Sequence, residues 1–294
     1  MNWKNKKVFI TGHDGFIGQH LTSALKSSGA DIRVCEVDLL KEKLAVGDDF
    51  QPEYIFHLAA IVPAASDVIR DSDVIENNIK ITENVLEFAC KIKAKVILAS
   101  SSHVYPPAKI GDHPWKEDET IPDKTISVYG LSKQKVEGLI FDYSKKYGLE
   151  FLIVRLANVY GPGDKSSRFI PTFIRKCINK EFPLEVLGEK DAVRDFLYIE
   201  DAIKGLTNSA NLLGYIKVVN IGSGSGTTIE EVAEIIKFRT NLAEKEILYR
   251  LSGGSKILYN VLDISLAKKK NKYSPSVGLE DGLVETINWC LKNK

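Results

Sequence analysis

Residues Thr11–Gly18 read Thr-Gly-His-Asp-Gly-Phe-Ile-Gly, with glycines at every third position. The run lies between a short apolar segment, Lys7–Ile10, and a segment of helical periodicity, Gly18–Ser28, in which Leu21, Ala24 and Leu25 share a face. A glycine-rich turn joining a first strand to a first helix is the context in which backbone amides cradle a pyrophosphate. Gly12 permits the tight turn, Gly15 lets N–H groups approach phosphate, and Gly18 allows the helix to pack against the strand. Phe16 and Ile17 open the helix, whose N-terminus contributes free donors and partial positive charge.

The segments that follow fit one fold class. Strands are expected at Asp31–Val37, Tyr54–Ala60, Lys95–Ser100 and Phe151–Leu156, and helices at Asn77–Lys91 and Val128–Tyr147. Apolar strands without alternation, each followed by a helix, indicate a parallel sheet covered on both faces. The expectation is an α/β chain with a doubly wound parallel (Rossmann) sheet and a smaller α/β C-terminal substrate-binding lobe. The dinucleotide-binding part spans 1–160, with segments returning to it near 195–222, and 161–294 is mainly the second lobe. That lobe contains a turn at Gly161–Asp164, a helix at Ile170–Asn179, a strand-then-helix at Phe196–Leu206, a strand at Lys217–Ile221 and helices at Thr228–Arg239 and Leu279–Leu291. A second glycine run, Gly222–Gly226, falls outside the repeating region. It reads as a flexible loop near the substrate, with Thr227 or Thr228 as the cap of the next helix.

Composition excludes several other classes. With 40 Lys+Arg against 39 Asp+Glu among 294 residues, bulk electrostatics give no reason for a nucleic-acid partner. The four cysteines are far apart, which suits reduced thiols in a cytoplasmic protein and neither a disulfide framework nor a zinc site. The five histidines include no H-E-x-x-H, so no metal is expected. No secretory leader is expected from the first residues, and no run approaches the ~18 apolar residues of a membrane span.

The second strand ends Cys35-Glu36-Val37-Asp38. An acid there accepts hydrogen bonds from the adenosine ribose and repels a 2′-phosphate, which points to NAD. Glu36 lies 24 residues after Gly12 and is the first candidate; Asp38 is its competitor. Arg33, Lys41 and Lys43 are nearby cations that keep NADP open.

Tyr129-Gly130-Leu131-Ser132-Lys133 opens the long helix, so the phenol and the ammonium share a helix face. A nearby cation favours phenolate over a phenol of pKa near 10 and makes Tyr129 a usable base. Ser100-Ser101-Ser102 ends the preceding strand, at the carboxyl edge where a doubly wound sheet places its ligand.

With these motifs in order, the chain resembles the extended short-chain dehydrogenase/reductase family, in its sugar-nucleotide epimerase, dehydratase and reductase branch. The resemblance rests on Thr11–Gly18, His57-Leu58-Ala59-Ala60, Asn78 with Thr82 and Asn84, Ser101 through Tyr105, Tyr129 with Lys133, Arg155–Pro162, Arg194–Asp201 and Asn220-Ile221-Gly222. It implies a catalytic set of Ser101, Tyr129 and Lys133, with Lys133 also on the nicotinamide ribose. It further implies cofactor contacts at Leu58, Ala59, Ala60 and Asn78, and sugar-nucleotide contacts at Ser102, His103, Asn158, Arg168 and Arg194, the last through the diphosphate. A homodimer formed by the long helices is also a family expectation.

The implied chemistry is reversible hydride transfer at the sugar C4 of a nucleotide-diphosphate sugar, through a 4-keto intermediate. The 4,6-dehydratases of the family carry Asp-Glu where this chain has Ser102-His103, so elimination of water lacks its acid and base. GDP-fucose synthases use cysteine at the position of His103 and histidine at that of Arg168, which disfavours C3/C5 epimerisation. His103 is a further candidate acid/base, since imidazole titrates near neutrality. Glu36 favours NAD and hence a redox-neutral 4-epimerase. A keto-sugar reductase using NAD(P)H, an NAD-dependent sugar dehydrogenase and a non-enzymatic dinucleotide sensor are the alternatives.

Overall fold

A computed structural model describes residues 1–47, 49–63, 70–106, 108–109, 111–119, 127–250 and 258–293. In chain order the elements are β1 Lys7–Thr11, α1 Phe16–Ser27, β2 Asp31–Val34, β3 Tyr54–His57, α2 Asp71–Ile92, β4 Lys95–Ser101, α3 Val128–Tyr147, β5 Phe151–Leu156, β6 Asn158–Tyr160 and α4 Phe169–Asn179. There follow β7 Leu184–Leu187, β8 Val193–Tyr198, α5 Ile199–Ser209, β9 Val218–Ile221, β10 Gly226–Thr228, α6 Ile229–Arg239, β11 Ile247–Arg250, β12 Tyr259–Asn260, α7 Ser265–Asn271 and α8 Leu279–Lys292.

Six strands form one all-parallel sheet in the order β2-β1-β3-β4-β5-β9. The chain adds β2 on one side of β1 and every later strand on the other, so the winding reverses beside β1. A crevice opens there at the carboxyl ends of the strands. Alternate residues supply the two faces. Val8, Ile10, Phe56, Ile97, Leu152 and Val154 join one buried cluster, and Phe9, Ile55, Val96, Leu98, Phe151 and Ile153 join the other. Burial on both sides explains the unbroken apolar runs of these strands.

The excursion between β5 and β9 builds a second sheet around β8. β6 pairs with the second half of β8, while β10 and β12 flank its first half. β7 and β11 form a separate parallel pair. α6 is held by a capping box, with Thr228 accepting from the Glu231 amide and the Glu231 carboxylate accepting from the Thr228 amide. The Gly222–Gly226 run is not a loose loop. The buried Asp195 carboxylate accepts from the Ser223 amide at 2.8 Å, the Ser223 hydroxyl at 2.6 Å and the Gly224 amide at 3.2 Å, and a Cβ on Gly222 would collide with it. Among the described residues, no helix is long and apolar enough to cross a membrane.

Candidate active site

The glycine turn lies at the reversal point. Gly12 adopts a φ of 69°, and a Cβ there would sit 2.6 Å from the backbone nitrogen of Ala59, so turn and loop pack backbone to backbone. A Cβ on Gly18 would run into the Gly12 carbonyl oxygen, whereas one on Gly15 would meet that oxygen only at 3.4 Å. Gly15 is the N-cap of α1, no side chain caps the helix, and its first turn contains no acid. The amides of Phe16, Ile17 and Gly18 therefore open the helix as donors for an anion. This cradle fits a dinucleotide pyrophosphate.

Behind the turn, a directed chain of hydrogen bonds fixes the loop 58–61. Ala59 N–H donates to Thr11 Oγ1 at 3.2 Å, and the Thr11 hydroxyl lies 2.8 Å from His57 Nδ1. His57 Nε2 lies 3.0 Å from Thr82 Oγ1, whose hydroxyl donates to the Asn78 carbonyl at 2.8 Å. Only the Nε2–H tautomer satisfies every link. Burial, reinforced by the Lys133 charge, holds His57 neutral, with its pKa pulled down to about 3. Asn78, expected at the cofactor, has its whole amide engaged within the protein. It accepts from Ile61 N at 2.7 Å and donates to Ile61 O at 3.0 Å and Ser132 Oγ at 3.1 Å. It shapes the loop that contains Leu58, Ala59 and Ala60.

At the end of β2 the two acids differ. Asp38 accepts from the Leu40 amide at 3.0 Å and pairs with Lys41 at 3.0 Å, which holds its carboxyl below the usual range. Glu36 lies exposed just past Val34, the last residue of β2. Each nearby cation already faces an acid: Arg33 pairs with Asp49 and lies over the Phe50 ring, Lys41 pairs with Asp38, and Lys43 pairs with Glu87 at 2.6 Å. The 2′-phosphate of NADP would have to compete with those carboxylates as well as with Glu36.

The catalytic candidates converge at the end of β4. Ser101 Oγ accepts from the His103 amide at 3.2 Å, which orients the hydroxyl and leaves its O–H as a donor. Gly130 lets α3 approach closely, since a Cβ there would collide with the His103 carbonyl. Tyr129 thereby stands beside His103, with ring centroids 6.1 Å apart, and the Lys133 ammonium lies 5.9 Å from the Tyr129 ring centroid. Lys133 donates to the Ala99 carbonyl at 2.9 Å. The expected phenolate is not favoured in this geometry. Burial pushes Tyr129 up to about 12 despite the opposing Arg168 charge, and pulls Lys133 down to about 8 despite the opposing Glu137 charge.

His103 does not meet the expectation of titrating near neutrality. Burial and the Arg194 charge lower it to about 4, against a hydrogen bond with Asn158, so it stands as a neutral imidazole at physiological pH. Among the described residues, its Nδ1 and the buried Ser102 hydroxyl have no partner. Asn158 Nδ2 donates to the Asp195 carbonyl at 3.1 Å. Arg194 donates to the Val193 carbonyl at 2.9 Å, and burial pulls its guanidinium down to about 10, still a cation at neutral pH. Arg168 caps α4, pairs with Asp164 at 2.8 Å and lies 5.8 Å from the Phe16 ring centroid, linking this side to the glycine turn.

Glu137 was not singled out in the sequence, and Arg155, Tyr105 and Asn220 were named only within the runs that carry the resemblance. Glu137 and Arg155, both 5% exposed, form an ion pair at 2.7 Å inside the protein. The pair continues to Ser100 on one side and to Tyr105 and Asn220 on the other. The spacing of Glu137, one helical turn after Lys133, is the sequence sign of its place in this group.

Comparison with known proteins agrees with this arrangement. Residues 8–222 match the NAD dependent epimerase/dehydratase family. The chain is 30% identical to the UDP-N-acetyl-alpha-D-glucosaminuronate decarboxylase of Bacillus cytotoxicus, over 97% of each chain. It is 32% identical to the UDP-glucuronate 4-epimerase of Thermodesulfobacterium geofontis, over 81% of this chain and 72% of that one. The crystal structure of UDP-glucuronic acid 4-epimerase from Bacillus cereus, in complex with UDP-glucuronic acid and NAD, superposes with a TM-score of 0.85. It is 25% identical, over 98% of this chain and all of that one.

Proposed function

Because the chain belongs to the NAD-dependent epimerase/dehydratase family and is thus an enzyme that uses NAD, we propose that it is a nucleotide-diphosphate-sugar 4-epimerase. The observation that carries this reading is the pairing of Arg33, Lys41 and Lys43 with acids around an exposed Glu36. That surface selects NAD over NADP, and NAD suits a cycle in which the hydride is returned rather than consumed. The names of the relatives favour UDP and a hexose or hexuronate.

Bound NAD supplies the hydride acceptor. The protein's part follows from its geometry. The glycine turn and α1 hold the pyrophosphate, and Glu36 accepts from the adenosine ribose. Leu58, Ala59 and Ala60 line the dinucleotide, on a loop shaped by Asn78 and His57. Lys133 holds the nicotinamide ribose. Ser101 donates to the C4 oxygen while Tyr129 takes its proton, the Arg168 charge and the nearby Lys133 ammonium opposing the burial that disfavours its phenolate. Tyr129 then returns the proton when the 4-keto sugar is reduced on its other face. Arg194, a desolvated guanidinium, matches the diphosphate. Asn158, Ser102 and neutral His103 contact the sugar, and Arg168 joins that side to the cofactor turn.

Residues 1–160 with the returning β9 hold the cofactor, and most of 161–294 shapes the sugar site. The homodimer reading is supported by α3, which has Val136 and Ile140 in the core but also presents Phe141 and Tyr147 to solvent, beside a groove of about 490 Å³ in which Ile79, Leu139 and Phe141 mix with Gln134, Lys135 and Asp142. Four free cysteines accord with a cytoplasmic setting. The test is to purify the protein without added cofactor, identify the dinucleotide released on denaturation, and follow UDP-glucose and UDP-glucuronate by NMR. Near-stoichiometric NAD and a C4 epimer formed without net NADH are expected. An empty protein that prefers NADPH, or net NADH release, would overturn the reading.

A further inference from the structure

Two consecutive turns of α3 grip the strand that ends in the catalytic serine. Lys133 donates to the carbonyl of Ala99, and Glu137 accepts from the hydroxyl of Ser100 at 2.5 Å. Ser101 is the next residue. Gln134, between them in sequence, donates to the Val104 carbonyl at 2.8 Å just beyond it. Glu137 is itself fixed from the far side by two bonds from Arg155, Nη2 to Oε2 at 2.7 Å and Nε to Oε1 at 3.1 Å. Arg155 in turn donates to the Tyr105 hydroxyl at 2.9 Å, and that hydroxyl donates to Asn220 Oδ1 at 2.8 Å. Lys133, Glu137 and Arg155 are all buried, and Glu137 places a carboxylate between the two cations.

We propose that Glu137 is a positioning residue for the reaction: anchored by Arg155 and Ser100, its carboxylate keeps the Lys133 ammonium charged and aligns the Ser101 end of β4 with α3. The inference rests on the role given to Lys133 above. The groups facing Lys133 are Glu137 and Tyr129 on its own helix, the neutral His57 on β3, and the Ala99 carbonyl on β4, with Arg155 of β5 behind Glu137. Of these only Glu137 is negative. Burial favours loss of the Lys133 proton and Glu137 opposes it. A structural ion pair alone would affect stability; this one sets the pH range over which Lys133 serves.

The experiment measures NAD affinity by fluorescence titration from pH 6 to pH 9, for the wild type and for Glu137→Gln, Glu137→Asp and Ser100→Ala, with circular dichroism confirming each fold. Glu137→Gln keeps an oxygen for Ser100 but removes the charge. Its affinity is expected within about twofold of wild type at pH 6 and several-fold weaker at pH 8.5, because without the Glu137 charge Lys133 loses its proton at lower pH. Glu137→Asp and Ser100→Ala are expected to follow the wild-type pH profile. A Glu137→Gln defect that is equal at every pH, or absent, overturns the inference. If that variant does not fold, Glu137→Gln/Arg155→Met removes both charges and leaves neither unpaired. Its profile is expected to shift in the same direction, and an unshifted profile overturns the inference equally. A wild type that binds NAD but does not epimerise would count against the proposed function and leave this test intact.

Discussion

Replacing Gly12 by alanine strikes the contact on which the cofactor crevice is built. At a φ of 69° an alanine is strained by about 1 kcal/mol or more. Its Cβ would also lie 2.6 Å from Ala59 N, 2.8 Å from the Leu58 carbonyl carbon and 2.9 Å from Ala59 Cα. All three are backbone atoms, so no side chain can swing away. The loop must retreat by roughly 1 Å to reach ordinary contact distance, which breaks the Ala59-to-Thr11 bond, another ~1 kcal/mol. Together these give about 2 to 4 kcal/mol, or a fall of roughly 3 to 6 °C in Tm for a chain of this size. Gly15→Ala is the matched control. Its Cβ meets only the Gly12 oxygen, at 3.4 Å, so Tm should move little while NAD retention falls because the new methyl group faces the pyrophosphate. Calorimetry and the NAD content of each purified variant decide the matter. A Gly12→Ala protein that melts within about 1 °C of wild type and retains its NAD would refute this account of the crevice.

Tyr129→Phe should retain NAD while losing roughly 10²- to 10⁴-fold in kcat, measured as epimer formed; residual activity within tenfold would displace Tyr129 from its role. Turnover should fall above about pH 8 as Lys133 loses its proton, and His103, held near 4, should contribute no limb between pH 6 and 8 in the pH–rate profile. The same burial should make the fold sensitive to acid. His57 and His103 have folded pKa values below the unfolded 6.5, so the unfolded chain takes up more protons and stability falls as pH drops below 6.5. Urea melts should register a loss of about 3 kcal/mol by pH 5. Glu36→Gln should raise NADP affinity about fivefold relative to NAD in a competition titration. Asp38→Asn should leave the ratio unchanged, because that carboxylate already serves Leu40 and Lys41.

The sequence made the parallel sheet legible because its strands are buried on both faces and therefore apolar without alternation. Their ends were less legible. The second strand was expected to reach Val37 and the third Ala60, but pairing stops at Val34 and His57 where the chain peels off into the crevice. The second long helix begins at Asp71 rather than Asn77, since its first turn, Asp71-Ser72-Asp73, is polar and lacks the apolar spacing that marks a helix. The sheet around β8 drew strands of two to six residues from distant parts of the chain, and no local pattern announces such pairing. In the site, the glycines, Ser101, Tyr129 and Lys133 stood out by their spacing. Glu137 did not, and Arg155 was named without its ion pair, because a buried charge is written with the same letter as a solvated one. Asn78 was visible, but only the structure shows that its amide is engaged by the neighbouring loop and by Ser132.

The last strand of the main sheet carries a consequence for how such a chain is made and remade. The chain leaves the sheet at Leu156 and rejoins it at Val218, where β9 pairs along Ile153–Leu156. Until those later residues emerge from the ribosome, β5 presents a bare hydrogen-bonding edge of the kind that recruits stray strands. Synthesis therefore passes through an interval in which the nascent protein is adhesive, and it closes only after the whole excursion has been made. Recombination meets the same constraint. A single crossover within the excursion would complete the sheet with a relative's β9 against this chain's β5, so the strand pair at the sheet edge would come from two parents. To keep that pair from one parent, a segment that shapes the sugar site must travel as a cassette with two junctions, one on each side of the excursion.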